Sequence, residues 1–169
     1  MYVNEQLFYY KEEMMKHKGI IGCLTVCLVL AFLVTSAVGQ SLRPVRNYGN
    51  GVIKAAAKDA TIVAAAQKGA FLDENSAASL KLQAALEGKA EALFAFVMNM
   101  DGVIVAAGYN VGQQDYKKEN FFRLPVKYGS ASHFLSRPKE VYYYSLPVVA
   151  GKETVGVIAV AVSPYNLLK

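Results

Sequence analysis

Between Phe94 and Ser163 the chain falls into short apolar segments separated by turn residues, opening on one with a period of two. Phe94, Phe96 and Met98 fall on one face, and Ala95, Val97 and Asn99 on the other. Asn99-Met-Asp-Gly102 then supplies a hairpin turn, because Gly tolerates the positive φ such turns need. Val103 to Gly108 pairs back. A second hairpin is predicted from Tyr142–Val149 and Thr154–Val162, joined around Gly151-Lys-Glu153. Pro147 cannot donate to a ladder, so its strand is an edge there or bulged at that point.

The residues before this sheet read differently. Residues 40–50 (QSLRPVRNYGN) are polar and carry Pro44, the pattern of a linker. Gly51 to Lys68 is Ala-rich, with Val52, Ala55, Ala56, Ile62, Val63 and Ala66 roughly at helical spacing, which predicts one amphipathic helix ended by Gly69. Asn75 or Ser76 caps a second helix, Ala77 to Leu86, with Leu80, Leu82, Ala85 and Leu86 inward and Gly88 kinking or ending it. Gln113 to Tyr128 is mixed, with a short helix expected around Lys117 to Arg123. Gly129 to Lys139 reads as a loop or short edge strand. Helix, helix, strand, strand, irregular segment, strand, strand is an α+β order: an antiparallel sheet with helices packed on one face.

Residues 1–39 stand apart. Lys16-His-Lys18 precedes an apolar run from Gly19 to Val34, and the small residues Thr35 to Gly39 follow. This is the layout of a signal peptide, cut after Ala37 or Gly39. The rival reading is a membrane anchor over residues 19–38, just long enough to cross a bilayer. The small-residue exit, without a basic stop after it, favours cleavage. Both readings place residues 40–169 outside the cytoplasm, periplasmic or extracellular. Residues 1–13 resemble neither a signal nor a fold, so Met14 or Met15 is expected as the true start.

Composition narrows the chemistry. The chain has 169 residues, 54% of them hydrophobic, enough for one domain with its own core. The net charge of +5 is spread without a basic run, which argues against a nucleic-acid partner. Both cysteines, Cys23 and Cys27, lie in the apolar N-terminal run, so the remainder can form neither a disulfide nor a thiolate metal site. No nucleophile elbow frames Ser130, Ser132 or Ser136 beside His133. Asp115, Glu119 and His133 lack tight metal-ligand spacing, and there is no Gly-rich phosphate loop. No catalytic residue, metal or cofactor is therefore expected, and the chain is not read as an enzyme.

Four segments, in order, resemble the Cache family, the extracytoplasmic PAS-like sensor domains of bacterial receptors. Val97-Met-Asn-Met-Asp-Gly-Val-Ile-Val105 is similar to the family's first hairpin. Gln114-Asp-Tyr-Lys-Lys-Glu-Asn-Phe-Phe-Arg123 is similar to its Asp-φ-Ser-x-Arg-x-φ-Phe segment. Tyr144-Ser-Leu-Pro-Val148 and Gly156-Val-Ile-Ala-Val160 are similar to its final hairpin. The Ala-rich helix from Gly51 matches its long N-terminal helix. Lys117 stands where the family often has Ser, and Glu119 or Asn120 where it often has Arg, so the amino-acid-binding subtype is not implied. The resemblance implies a PAS-like α+β fold, a single Cache domain over residues 51–166, and a pocket between the sheet and the segment crossing it. It also implies a small organic acid or similar polar ligand, and a membrane receptor or kinase that reads the bound state, with chemotaxis one use of such a signal. Nothing after residue 166 suggests a further domain, so a free-standing module is expected, and the N-terminal helix could pair two copies. A carboxylate needs fixed cationic or hydroxyl donors. The stretch that would line the pocket offers Arg123, Lys127, His133, Tyr142 and Tyr144, with Phe121 as an apolar wall. A profilin-like or Roadblock-type interaction scaffold, which binds no small ligand, is the alternative.

Overall fold

The computed structural model describes residues 42–109, 111–112, 114–136, 141–165 and 167. The leader-like segment, the proposed start at Met14 or Met15, and both cysteines lie outside the described residues. Among the described residues no helix is long and apolar enough to cross a membrane.

Helix α1 spans Arg43–Ile53, so most of the stretch read as a linker is helical. Pro44 does not prevent this: it sits in the first turn, where its missing N–H would have no helical partner anyway. Val45, Gly49, Val52 and Ile53 form the buried stripe, which runs across the boundary expected at residue 51. Gly49 lets the helix lie close on the sheet, since a Cβ there would stand 2.7 Å from Tyr144 Cβ.

The helix expected over Gly51–Lys68 is broken in two. After Ile53 a 3₁₀ turn covers Ala56–Lys58, and α2 begins anew at Ala60–Lys68. Asp59 caps α2, its carboxylate accepting from Thr61 N at 2.9 Å and pairing with Lys81 Nζ at 2.9 Å. Such a side chain offers the backbone a local partner that competes with continuous helix. Helix α3, Ala77–Leu86, starts where its cap predicts, with Ser76 Oγ accepting from Ser79 N at 3.2 Å. Its inward face is rotated from expectation. Leu80 is 54% exposed, while Ser79 is fully buried. Ser79 is drawn inward because its hydroxyl accepts from the Ala107 N–H of the sheet at 3.1 Å.

Five strands follow: β1 Ala92–Asn99, β2 Ile104–Gly108, β3 Ser132–Ser136, β4 Val141–Ala150 and β5 Glu153–Val162. They form one antiparallel sheet in the order β2-β1-β5-β4-β3. The first turn is held by Asn99 Oδ1, which accepts from Asp101 N and Val103 N at 3.0 and 3.1 Å, with Gly102 at φ +80°. Pro147 pairs with Val157 on β5 and lies beyond Ser145, the last β4 residue that β3 reaches, so the strand is an edge there.

The helix expected at Lys117–Arg123 begins three residues later, as α4, Asn120–Tyr128. Asp115 holds the preceding residues otherwise: its carboxylate accepts from Lys117 N at 2.7 Å, and its backbone bridges to Val103. Gly129, at φ +61°, ends α4. Pro125 interrupts α4 internally and cannot donate to the Phe121 carbonyl four residues back. Ser145 Oγ, fully buried on β4, donates to that carbonyl instead, at 2.7 Å. Helices α1 to α3 cover one face of the sheet, as expected, and α4 adds cover on the other.

Candidate functional site

Strand alternation divides the three consecutive tyrosines of β4 between the two faces. Tyr143 shares the α4 face with Phe94, Phe96, Ala159 and Ala161. Tyr142 and Tyr144 point the other way, toward α1.

Under α4 the space is filled by rings. Phe121 stacks on Tyr143 with centroids 4.8 Å apart and 11° between planes, and Phe96 stacks on Tyr116 at 5.3 Å. Tyr116 also meets Phe121 at 5.2 Å, and its hydroxyl donates to Gln114 Oε1. Burial pushes the phenols of Tyr116 and Tyr143 above their ordinary range, and the negative charge of Glu119 adds to this at both. Both causes disfavour the ionised form of these two phenols. The cations of α4 are exposed. Arg123 and Lys127 are four residues apart on its exposed side, and Lys127 Nζ lies 4.9 Å over the ring of Tyr128.

On the α1 face, Tyr144 donates its phenol proton to Asn50 Oδ1 at 3.2 Å. Burial raises the Tyr144 phenol and pushes the Tyr142 phenol up to about 12, while the positive charge of Arg46 pulls both down. Arg46 therefore lies within electrostatic reach of both rings. A cavity of about 330 Å³ opens here, between Arg46, Asn47 and Asn50 of α1 and Tyr144 and Ala131. His133 pairs with Tyr144 in the β3–β4 register.

Of the residues singled out in the sequence, Phe121 and Tyr144 lie on opposite faces of the sheet. Tyr144 and His133 are brought together in register, with Tyr142 two residues along β4. Phe121 is 2% exposed in the ring cluster on the opposite face, and Arg123 and Lys127 stand outside that cluster. The residues passed over are Arg46, Asn47 and Asn50, which fell in the stretch read as a linker. Their signal was the spacing of 46, 50 and 54, one stripe of a helix. A cavity of about 620 Å³ lies at the turn end of the sheet between Asp101 and Glu153. Asn99, also in its wall, is committed to the turn and to Gly69 O, 3.1 Å from its Nδ2. Among the described residues no cluster of His, Cys, Asp and Glu could hold a metal.

This arrangement, a five-stranded antiparallel sheet entered through N-terminal helices and crossed by a short helix between its second and third strands, matches solved sensor domains. The sensor domain of the Vibrio cholerae histidine kinase DctB matches at TM-score 0.57 and 22% identity, over 76% of this chain and 51% of that one. The fold is that of a single Cache domain. An extracellular ligand-binding receptor from Desulfohalobium retbaense shares the Cache fold at TM-score 0.54 and 14% identity, over 77% of this chain and 25% of that one. The ligand-binding domain of the Campylobacter jejuni chemoreceptor Tlp3, solved with 4-methylisoleucine, matches at TM-score 0.52 and 14% identity, over 80% of this chain and 56% of that one. This chain thus spans little more than half the length of these neighbours at most. No family model matches the sequence, and no curated protein matches it.

Proposed function

We propose that this chain is an extracytoplasmic sensor module that binds a small organic acid or similar polar metabolite and reports it to a membrane receptor or kinase. The observation that carries the reading is the Cache fold. The solved domains that share it are named as a histidine-kinase sensor and as ligand-binding domains of a receptor and a chemoreceptor. The expected leader in residues 1–39 supports the location. Pairing of two copies through the N-terminal helical region belongs to the same proposal.

A thermal-shift screen of the purified full chain tests it. The panel holds small carboxylates, amino acids, amines and purines. A ligand at about a hundred times its dissociation constant adds about 2.7 kcal/mol, which raises the melting temperature by several degrees. A well-folded protein that no member of the panel stabilises would refute the sensor reading and turn the search to a protein partner.

A further inference from the structure

The outer side of α1 carries a row of exposed cations: Arg46, then Lys54 just past its end, then Lys58 on the 3₁₀ turn. Among the described residues, none of the three is in an ion pair. Beside them runs a groove of two cavities, about 330 and 380 Å³, which share Asn50 and Ala131. Leu146, Pro147 and Val149 of β4 give the larger one an apolar wall, with Val149 42% exposed. No carboxylate lines either cavity. Strand pairing explains why this space is open. β3 begins at Ser132, opposite Ser145, and the chain before it turns off through Gly129 at φ +61°. Among the described residues, Leu146 to Val149 are therefore paired with β5 on one side and with no strand on the other. Pro147 has no N–H to offer an added strand, so an occupant here is held by its side chains.

The chain carries the complement of this surface toward the other edge of its sheet. Phe71, in the loop between α2 and α3, is 78% exposed, the most exposed large apolar side chain among the described residues. Asp73 and Glu74 follow it, both exposed and, among the described residues, in no ion pair. The loop is held in shape: Asp73 Oδ1 accepts from Asn75 N at 3.0 Å, and Asp73 O accepts from Ser76 Oγ at 2.8 Å. A preordered loop loses little freedom on docking. Phe71 to Glu74 spans at most about 10 Å, so a ring seated on Leu146 and Pro147 leaves both carboxylates within reach of Lys54 and Lys58. Gly69 and Asp73 place the loop against Val105 of β2. β2 and β4 are three strand spacings apart in the sheet, about 14 Å, so the loop, anchored there, does not enter the groove of its own chain.

We propose that the groove between α1 and β4 receives the Phe71–Glu74 loop of a second copy of this chain. Phe71 packs against Leu146 and Pro147, and the two carboxylates face Lys54 and Lys58. The two surfaces differ, so the contact is heterologous: each copy docked by its loop still presents an open groove, and chains add head to tail. Sensor modules are thereby held in a row. This contact is separate from symmetric pairing through the N-terminal helical region, which closes at two copies. A concave groove with an apolar wall suits an inserted ring better than it suits a flat plane of lipid headgroups.

Sedimentation velocity of the full chain over a concentration series tests it. The wild type forms species beyond the dimer that grow with concentration and dissociate in about 1 M salt, where the screening length is about 3 Å. Phe71→Ser and Lys54→Glu, both at exposed positions, each weaken association at least about tenfold, as loss of a central anchor does. An equimolar mixture of the two variants assembles again, because the intact loop of one enters the intact groove of the other, and it stops at the dimer. A synthetic peptide of residues 70–76 dissociates the wild-type assembly, and its Phe71→Ser form does not. A wild type that stays monomeric or stops at the dimer overturns head-to-tail addition. Association that neither substitution weakens overturns the loop and the groove, and a mixture that fails to assemble overturns their pairing. Cosedimentation with phosphatidylglycerol vesicles that Lys54→Glu abolishes, without self-association, assigns the cations to a membrane surface and overturns the second copy. The sensor reading is tested separately, by the thermal-shift panel.

Discussion

Ser145→Ala probes the link between α4 and the sheet. Pro125 leaves the Phe121 carbonyl without its helical donor, and the Ser145 hydroxyl supplies one at 2.7 Å. Ser145 is fully buried and Phe121 is 2% exposed, so water does not readily replace the lost donor. An unsatisfied buried carbonyl costs about 1–3 kcal/mol, and the variant should lose that much in urea denaturation at neutral pH. The reasoning also predicts a coupling. Pro125→Ala restores an N–H at the position that bonds Phe121 O, so in that background Ser145→Ala should cost about half as much or less. The double-mutant cycle isolates this coupling from whatever packing Pro125 loses by itself. Equal costs for Ser145→Ala in both backgrounds, within about 0.5 kcal/mol, would refute the account.

Three further outcomes follow from the geometry. Gly156→Ala should destabilise the domain by about 1–3 kcal/mol or more, because its Cβ would stand 2.3 Å from Met98 O on the paired strand and 2.9 Å from Ala66 Cβ; wild-type stability in urea would contradict the packing described. The Thr61 hydroxyl, then Lys81 and the Thr61 N–H, lower the Asp59 carboxyl from 3.8 to about 2. Its stabilisation is therefore complete above pH 3.8 and lost as pH falls through about 2, so the melting-temperature gap between wild type and Asp59→Asn should narrow across that interval; a gap that stays constant would rule this out. Gly49→Ala should loosen α1 from β4, where its Cβ would approach Tyr144 Cβ to 2.7 Å, and cost about 1–3 kcal/mol of stability in urea. Unchanged stability would contradict the close approach of α1 to β4.

The sheet was legible because its signals are local. Alternation at Phe94, Phe96 and Met98, the Asn99–Gly102 turn and the β4–β5 hairpin each depend on a few neighbouring residues, and their order carried the resemblance to the Cache fold. Ser76 as a helix cap was legible for the same reason. The helical region was less so. An Ala-rich stretch has propensity but little apolar asymmetry, so the break before Asp59 and the start at Arg43 depended on competing caps and on a sheet to pack against. The late start of α4 depended on Asp115 bonding Lys117 N and bridging to Val103, a long-range contact.

Local pattern also determined that Tyr142 and Tyr144 share a face and that Tyr143 takes the other, since strand side chains alternate. It left open which face meets which helix, because a shift of one residue exchanges them. Only the tertiary structure decided that, by bringing Asn50 to the Tyr144 hydroxyl and Phe121 to the ring of Tyr143. The same packing separated Phe121, Arg123 and Lys127 from Tyr144 and set Arg46 beside it, almost a hundred residues away in sequence. Spacing along the chain reports which residues share an element; which elements then face one another is settled by burial of apolar area and by pairing of buried polar groups across the whole domain.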